Sequence, residues 1–334
     1  MSQPVGDRGC HARAEAAAPL LSVEDLSVDY ALGGSIVHAV SGVSFAVARG
    51  ETLGLVGESG CGKSTLARAI LQLTRATAGR VVFDGVDLTR IGAAALRRLR
   101  RRLQIIFQDP IASLNPRRRV GDILAEPLLI AGVSKAAMRA RRIEQTLHAV
   151  GLDPNLVMTR FAHSFSGGQC QRLCIARALI LEPELIVCDE PVSSLDVSIR
   201  AQIINLLEAM KQRYGLTLLF IAHDLAVVKA VSDRVAVMYL GKLVELAPTE
   251  ALFKTPGHPY TALLLEAIPR PDPEAAIPAR VPVGEPPSPL APPSGCRFRT
   301  RCRRAERRCS EEAPPLREIA PQQFVACHFP LGNA

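Results

Sequence analysis

Tryptophan is absent from this 334-residue sequence, and aromatic residues make up only 4% of it. The few that exist are not interleaved with the arginine blocks at Arg97, Arg98 and Arg100 to Arg102, at Arg117 to Arg119, and at Arg139, Arg141 and Arg142. Those blocks therefore lack a base-stacking platform, and no nucleic-acid partner is expected. The net charge of +8 reads instead as solvated basic faces near an anionic headgroup layer. No apolar run approaches the roughly eighteen residues of a membrane span, so a soluble or peripheral chain is expected. Met1 to Pro19 has no uninterrupted apolar core, which excludes a secretion signal and leaves a disordered lead-in.

What is abundant is core material. Hydrophobic residues make up 48% of the chain, ample for one large α/β core with room for an appendage. Inside it, Gly57-Glu58-Ser59-Gly60-Cys61-Gly62-Lys63-Ser64 fits the phosphate-loop pattern G-x-x-x-x-G-K-S at every position. The octapeptide stands between the apolar run Leu53 to Val56 and the helix-forming stretch from Thr65 to Leu73. Glycines let consecutive backbone N–H groups curl around phosphate oxygens, a lysine meets the β/γ charge, and the serine hydroxyl reaches magnesium. A nucleoside triphosphatase is implied. Further on, Leu185 to Glu190 reads as a buried strand delivering two adjacent carboxylates at its carboxyl end. Asp189 is the expected magnesium ligand and Glu190 the group that polarises the attacking water.

Phe165-Ser166-Gly167-Gly168-Gln169, followed by Gln171 and Arg172 and an apolar helical pattern, is a second place where free helix N–H groups can take a phosphate. This segment resembles the signature motif of ATP-binding cassette (ABC) proteins, and on it the chain is identified as similar to the ABC ATPase family. Two departures stand out: Phe165 replaces the usual leucine, and Cys170 stands where a basic or polar residue is common. Neither removes a phosphate ligand.

The resemblance implies further roles. Ser166 to Gln169 would serve the nucleotide held by a partner cassette, so that two cassettes clamp two ATP molecules head to tail. Gln108 matches the Q-loop glutamine near magnesium and the attacking water. Ser194-Leu195-Asp196 matches the D-loop, and His223 the switch histidine at the γ-phosphate. Tyr30 is the expected adenine-stacking aromatic, and Thr65 completes the ATP-binding stretch. The fold implied is an ABC-type α/β nucleotidase: a mostly parallel core sheet, an antiparallel β subdomain, an inserted helical subdomain and a small Cys-rich C-terminal extension.

Alternating patterns over Leu21 to Tyr30 and Ile36 to Val47 predict the antiparallel strands. Short apolar strands are expected at Leu53 to Val56, Leu103 to Phe107, Leu185 to Asp189, Leu216 to Ala222 and Val235 to Tyr239. Helices are expected over Val120 to Ala131 and Ser134 to Val150, within a helical subdomain of about 116–181. Gly241 to Leu246 is expected as a final edge strand. The division is thus a tail at 1–19, the ATPase domain at 20–254 and an extension at 255–334, with a proline-rich linker at 269–293.

The extension, with His258-Pro259-Tyr260-Thr261, resembles that of oligopeptide and dipeptide importer ATPases, and Phe107 to Pro116 is closest to the second ATPase subunit of such importers. The resemblance implies a peptide-import ATPase at the cytoplasmic face of the cell membrane. Its partners would be a second, different ATPase subunit, two permeases and an extracytoplasmic binding protein. Nickel or glutathione-like cargo, or a soluble ABC ATPase acting on nucleic acid or ribosomes, remain as alternatives. Cys296, Cys302, Cys309 and Cys327 cluster within the extension, whereas Cys61, Cys170, Cys174 and Cys188 are scattered and read as small buried residues. Four soft ligands in a segment too small for its own core suggest a metal staple. Their spacings fit neither paired zinc hooks nor the bacterial ferredoxin run. Some related ATPases hold a 4Fe–4S cluster there, which places iron–sulfur ahead of zinc.

Overall fold

The computed structural model describes residues 18–268, 285 and 287–332. Most of the expected N-terminal tail, Cys10, and most of the proline-rich linker lie outside the described residues.

Alternation of buried and exposed positions drives β1 (Leu21–Leu32) and β2 (Ser35–Val47) into an antiparallel hairpin. Its turn uses Gly33 and Gly34, both at positive φ, the backbone that a tight hairpin demands. With β4 (Ala78–Phe83) and β5 (Val86–Asp87) they form a four-stranded sheet in the order β2-β1-β4-β5.

The second sheet holds β3 (Thr52–Val56), β6 (Leu103–Ile106), β7 (Leu185–Asp189), β8 (Thr217–Ile221), β9 (Arg234–Tyr239), β10 (Lys242–Pro248), β11 (Arg317–Ala320) and β12 (Gln323–Val325). Its order is β11-β12-β10-β9-β3-β8-β7-β6. The pairs β3–β8, β3–β9, β6–β7 and β7–β8 are parallel. β3, β7 and β8 are buried at every position, which is why they read as continuous apolar runs rather than alternations. Strand crossovers bring the carboxyl ends of β3, β6, β7 and β8 side by side, and the loops leaving them carry the polar residues.

Between β6 and β7 the chain is helical, as expected, with principal helices Val120–Ile130, Ala136–Ala149 and Gly167–Leu179. The first two end within two residues of the sequence-based bounds. Cys61, Cys170, Cys174 and Cys188 are buried free thiols, and burial pushes Cys174 and Cys188 up to about 12.

One expectation fails. β10 is an interior strand, not the edge, because β12 pairs with it antiparallel through Glu245↔Val325 and Leu246↔Phe324. The added hairpin has strands of only four and three residues, too short to show a period in the sequence. The pairing also explains a buried charge. Glu245 is 0% exposed, and its carboxylate accepts from Gly257 N–H at 2.7 Å, His258 N–H at 2.9 Å and Gln323 Nε2 at 3.0 Å. Nor does the Cys-rich segment stand apart: Phe298 is buried in the same core cluster as Tyr239 and Tyr260, with Cys296 and Cys302 packed against it.

Candidate functional site: a phosphate loop and a two-carboxylate strand

Between β3 and the helix Lys63–Ile70, the loop turns on Gly57, Gly60 and Gly62, all at positive φ. A Cβ on Gly57 would lie 2.1 Å from Met238 O, and one on Gly62 2.1 Å from Ala39 O, so side chains are excluded there. The helix begins at Lys63 with no side-chain cap, which leaves its first N–H groups directed to the loop. Lys63 is buried, its ammonium donating to Gly57 O at 2.7 Å and Glu58 O at 2.9 Å.

The Ser64 hydroxyl donates to Asp189 Oδ1 at 2.9 Å. Burial raises the Asp189 carboxyl above the usual carboxylate range, opposed by that hydrogen bond. Glu190, the next residue, adopts φ 48°, which turns its side chain away from the strand direction. Gln108 Nε2 donates to Glu190 Oε2 at 3.0 Å, and His223 Nδ1 lies 3.3 Å from the same oxygen. The phosphate loop, Gln108 and Glu190 thus meet at one cavity of about 350 Å³, while Asp189 and His223 do not line it and bond to its lining residues Ser64 and Glu190. Tyr30, Ser59, Gly60, Gly62, Lys63, Ser64, Thr65, Gln108 and Glu190 line it. Ser64, Asp189 and Gln108 supply hard oxygen donors, the kind a magnesium ion takes. The arrangement can hold a polyphosphate against the helix N-terminus and place a carboxylate beside it.

The signature residues do not join that cavity. Ser166 caps the helix Gly167–Leu179, accepting from Gln169 N–H at 3.4 Å, while Ser166 N–H donates to Gln169 Oε1 at 3.1 Å. Leu195 packs 3.7 Å from the Cβ position of Gly167, so the D-loop and the signature helix form one surface, with Ser194 and Asp196 exposed.

In the C-terminal extension, Cys296, Cys302, Cys309 and Cys327 line a single small enclosed cavity together with His258, Phe298, Arg299, Arg304 and His328. Burial raises the thiols of Cys296, Cys302 and Cys327, the last to about 11. Among the described residues no group of three or more His, Cys, Asp or Glu side chains could hold a metal ion as they stand.

Sequence reasoning missed several residues. Val37, His38 and Ala39 of β2, with Leu240, Gly241 and Pro289, also line the nucleotide-sized cavity. Pro289 stands in the segment expected to be only a linker. Arg301, given no role from the sequence, is buried and bonded to Glu58 of the loop. No local pattern marks such contacts, because each joins segments that are separated in the chain, from about twenty residues for β2 and the loop to 243 for Arg301 and Glu58.

Known proteins place this geometry in a family. Residues 40–193 match the ABC transporter model, and residues 244–309 match the oligopeptide/dipeptide transporter C-terminal region. The chain is 53% identical over 294 residues to the oligopeptide transport ATP-binding protein OppF of Salmonella typhimurium, covering 87% of each chain. It is 51% identical over 294 residues to OppF of Haemophilus influenzae, covering 87% of this chain and 88% of that one. Among solved structures, cbiO1 from Clostridium perfringens, part of an ABC transporter complex, superposes with a TM-score of 0.62 at 28% identity, covering 71% and 91% of the two chains. The cassette MJ0796, solved as a dimer bound to ADP and phosphate, gives a TM-score of 0.63 at 26% identity, covering 69% and 98%. Two family models on one chain, relatives above 50% identity over most of its length, and the loop and carboxylate geometry lead to one conclusion: this chain belongs to the ABC transporter ATP-binding family, in the branch that carries the oligopeptide/dipeptide transporter C-terminal region.

Proposed function

We propose that this chain binds and hydrolyses MgATP and thereby powers peptide import as the ATP-binding subunit of an ABC transporter. The observation that carries the reading is the convergence of Lys63, Ser64, Gln108, Asp189, Glu190 and His223 around the phosphate loop, in a chain 53% identical to an oligopeptide transport ATP-binding protein.

In the mechanism, Tyr30 stacks on the adenine and residues Gly57 to Thr65 wrap the phosphates. Ser64, Asp189 and Gln108 would hold the magnesium that accompanies ATP, which would supply positive charge beside the phosphates. Glu190 is the general base: its carboxylate accepts a proton from the attacking water. Gln108 and His223 both bond that carboxylate and orient it, and His223 stabilises the γ-phosphate. Lys63 exchanges its loop carbonyls for phosphate oxygens as nucleotide enters.

Ser166, Gly167, Gly168 and Gln169 lie outside this chain's own cavity, and they serve the ATP of a second cassette, contributed by a different ATPase subunit. Ser194, Leu195 and Asp196 cross that interface. No helix among the described residues is long and apolar enough to cross a membrane. Two permease subunits supply the channel, docking on the helical subdomain of about 116–181, where Leu129, Ile130 and Phe161 are exposed apolar side chains. The chain then works at the cytoplasmic face of the membrane as a peripheral subunit, with an extracytoplasmic protein selecting the peptide. The ATPase domain is taken as 20–254, with 255–334 as the extension.

Within that extension, Cys296, Cys302, Cys309 and Cys327 would hold a 4Fe–4S cluster only after drawing closer than they stand, since as they stand they form no metal-holding group. Support comes from four thiols facing one cavity beside Arg299 and Arg304, whose charge offsets that of a thiolate-ligated cluster. A single zinc ion, at about 2.3 Å from each sulfur, requires the thiols closer together than a cluster does. When bound, the cluster supplies a covalent staple; the cysteines ligate it and the surrounding apolar side chains exclude water.

The test is anaerobic purification of the chain with its genomic neighbours in detergent, followed by ATPase assay and iron analysis. Two permeases, a second ATPase and peptide-stimulated turnover that Lys63→Ala abolishes are expected, with about four irons per chain. Copurification with ribosomes or DNA and no membrane subunit would overturn the transport reading, and iron-free protein after anaerobic reconstitution would overturn the cluster.

A further inference from the structure

Glu58 occupies a variable position of the phosphate loop, yet its side chain and its amide are both held by the C-terminal extension. Arg301 Nη1 donates to Glu58 Oε1 at 3.0 Å and Oε2 at 2.9 Å. The Glu58 N–H donates to the Tyr260 hydroxyl at 3.0 Å. Arg301 is nearly buried, its side chain 5% exposed against 27% for Glu58, so the pair is shielded on one side.

The contacts continue without a gap to the thiol-lined cavity. Arg301 also donates to the Tyr239 hydroxyl at 3.4 Å. Tyr239, Tyr260 and Phe298 pack against one another tilted or edge-on, with centroids 4.6 Å, 5.2 Å and 5.3 Å apart. Phe298 lines the cavity of the four cysteines, and Cys302 directly follows Arg301 in the chain. A second strut runs in parallel. Arg297, next to Cys296, donates to Leu240 O and, at 2.9 Å, to Ser41 Oγ, and Leu240 lines the nucleotide cavity.

We propose that Arg301 is a positioning residue of the phosphate loop, and that the Arg301–Glu58 pair couples order around the thiol-lined cavity to nucleotide affinity. This rests on the reading of the loop as the ATP site. The physical route is short. Lys63 is held by the carbonyls of Gly57 and Glu58, so moving Glu58 moves the lysine that must meet the phosphates. When the extension around Cys296 to Cys309 loosens, Arg301 leaves Glu58 and the loop loses its outer support. By reciprocity, bound nucleotide must favour the ordered extension by the same factor.

The experiment uses the full chain: MgATP affinity by calorimetry and hydrogen–deuterium exchange of residues 296–309 with and without MgATP. Arg301→Ala is expected to weaken MgATP about tenfold. Arg301→Lys, which keeps the charge on a shorter side chain, should weaken it about threefold. Adding Glu58→Ala to Arg301→Ala should cost nothing more, since both break one pair. In the wild type, MgATP should slow exchange across 296–309 at least threefold, and Arg301→Ala should remove that response. Full additivity of the two substitutions, or exchange indifferent to nucleotide in the wild type, would overturn the proposal. If Arg301→Ala does not fold, Glu58→Gln, which leaves Arg301 in place, gives the same two readouts. Lys63→Ala separates the two readings: unchanged MgATP binding in that variant removes the ATP site itself, whereas lost binding there with wild-type affinity in Arg301→Ala removes only the coupling.

Discussion

Ser64 and Asp189 are 125 residues apart in the chain, and the hydroxyl of one donates to the carboxylate of the other at 2.9 Å. The contact joins the first turn of the helix after β3 to the last residue of β7 across the strand β8 that separates them in the sheet. It places two side-chain oxygens from distant elements at one point beside the phosphate loop.

Ser64→Ala should weaken MgATP more than metal-free ATP. The substitution removes the proposed magnesium ligand and the hydrogen-bond donor to a buried carboxylate, a loss of about 1–3 kcal/mol or roughly 5- to 150-fold in affinity. Titration of ATP with magnesium and with EDTA reads the difference; equal losses in both conditions would remove Ser64 from the metal site.

Glu190→Gln should bind MgATP normally and turn it over at least about 100-fold more slowly, the usual contribution of a positioned general base. The amide keeps a hydrogen-bond partner for Gln108 and His223 while losing the proton acceptor. Single-turnover phosphate release in the assembled complex is the measurement, and a rate within threefold of wild type would move the base elsewhere.

Gly62→Ala should destabilise the fold as well as the site. Gly62 has φ 105°, and its added Cβ would meet Ala39 O at 2.1 Å, backbone that cannot rotate away. The strain and overpacking together cost about 3 kcal/mol. Urea unfolding should show a lower midpoint at unchanged slope, and a wild-type midpoint would contradict the close approach of β2 to the loop.

His258 gives the protein an acid-sensitive limb. It is 1% exposed, its Nδ1 accepts from Tyr260 N–H at 3.0 Å, and burial pushes the imidazole down to about 3. The unfolded chain takes up a proton near the ordinary value of about 6.5 that the folded chain refuses. Stability from this group is therefore complete above that value and lost as pH falls toward 3, reaching about 2 kcal/mol of loss at pH 5. Melting curves from pH 7.5 to 5 should fall more steeply for wild type than for His258→Asn. Parallel slopes would place a charged or exposed histidine at 258.

The local chemistry was legible in the sequence because it depends on short spacings. G-x-x-x-x-G-K-S must follow a strand and open a helix, and the chain does this at Leu53 to Ile70. The apolar runs of β3, β7 and β8 announced buried parallel strands, and Ser166 with Gln169 announced a helix start that the capping box bears out. A hydrophobic period and a cap act within one or two turns of backbone, so neighbouring residues suffice to specify them.

What crosses the chain was decided by tertiary structure alone. Short β11 and β12 become strands because β10 offers an unpaired edge, and Glu245 is tolerated in the interior because three donors from that packing reach it. The arginines of the extension show the same division. Nothing in composition separates them, yet Arg307 stays exposed, paired with the exposed Glu311 one turn along its own helix, while Arg301 is buried against Glu58 of the phosphate loop, a partner only the tertiary fold supplies. The sequence alone determined which groups can bind a phosphate; the crossings of the sheet decided which of them meet, since long-range pairing depends on where whole elements pack.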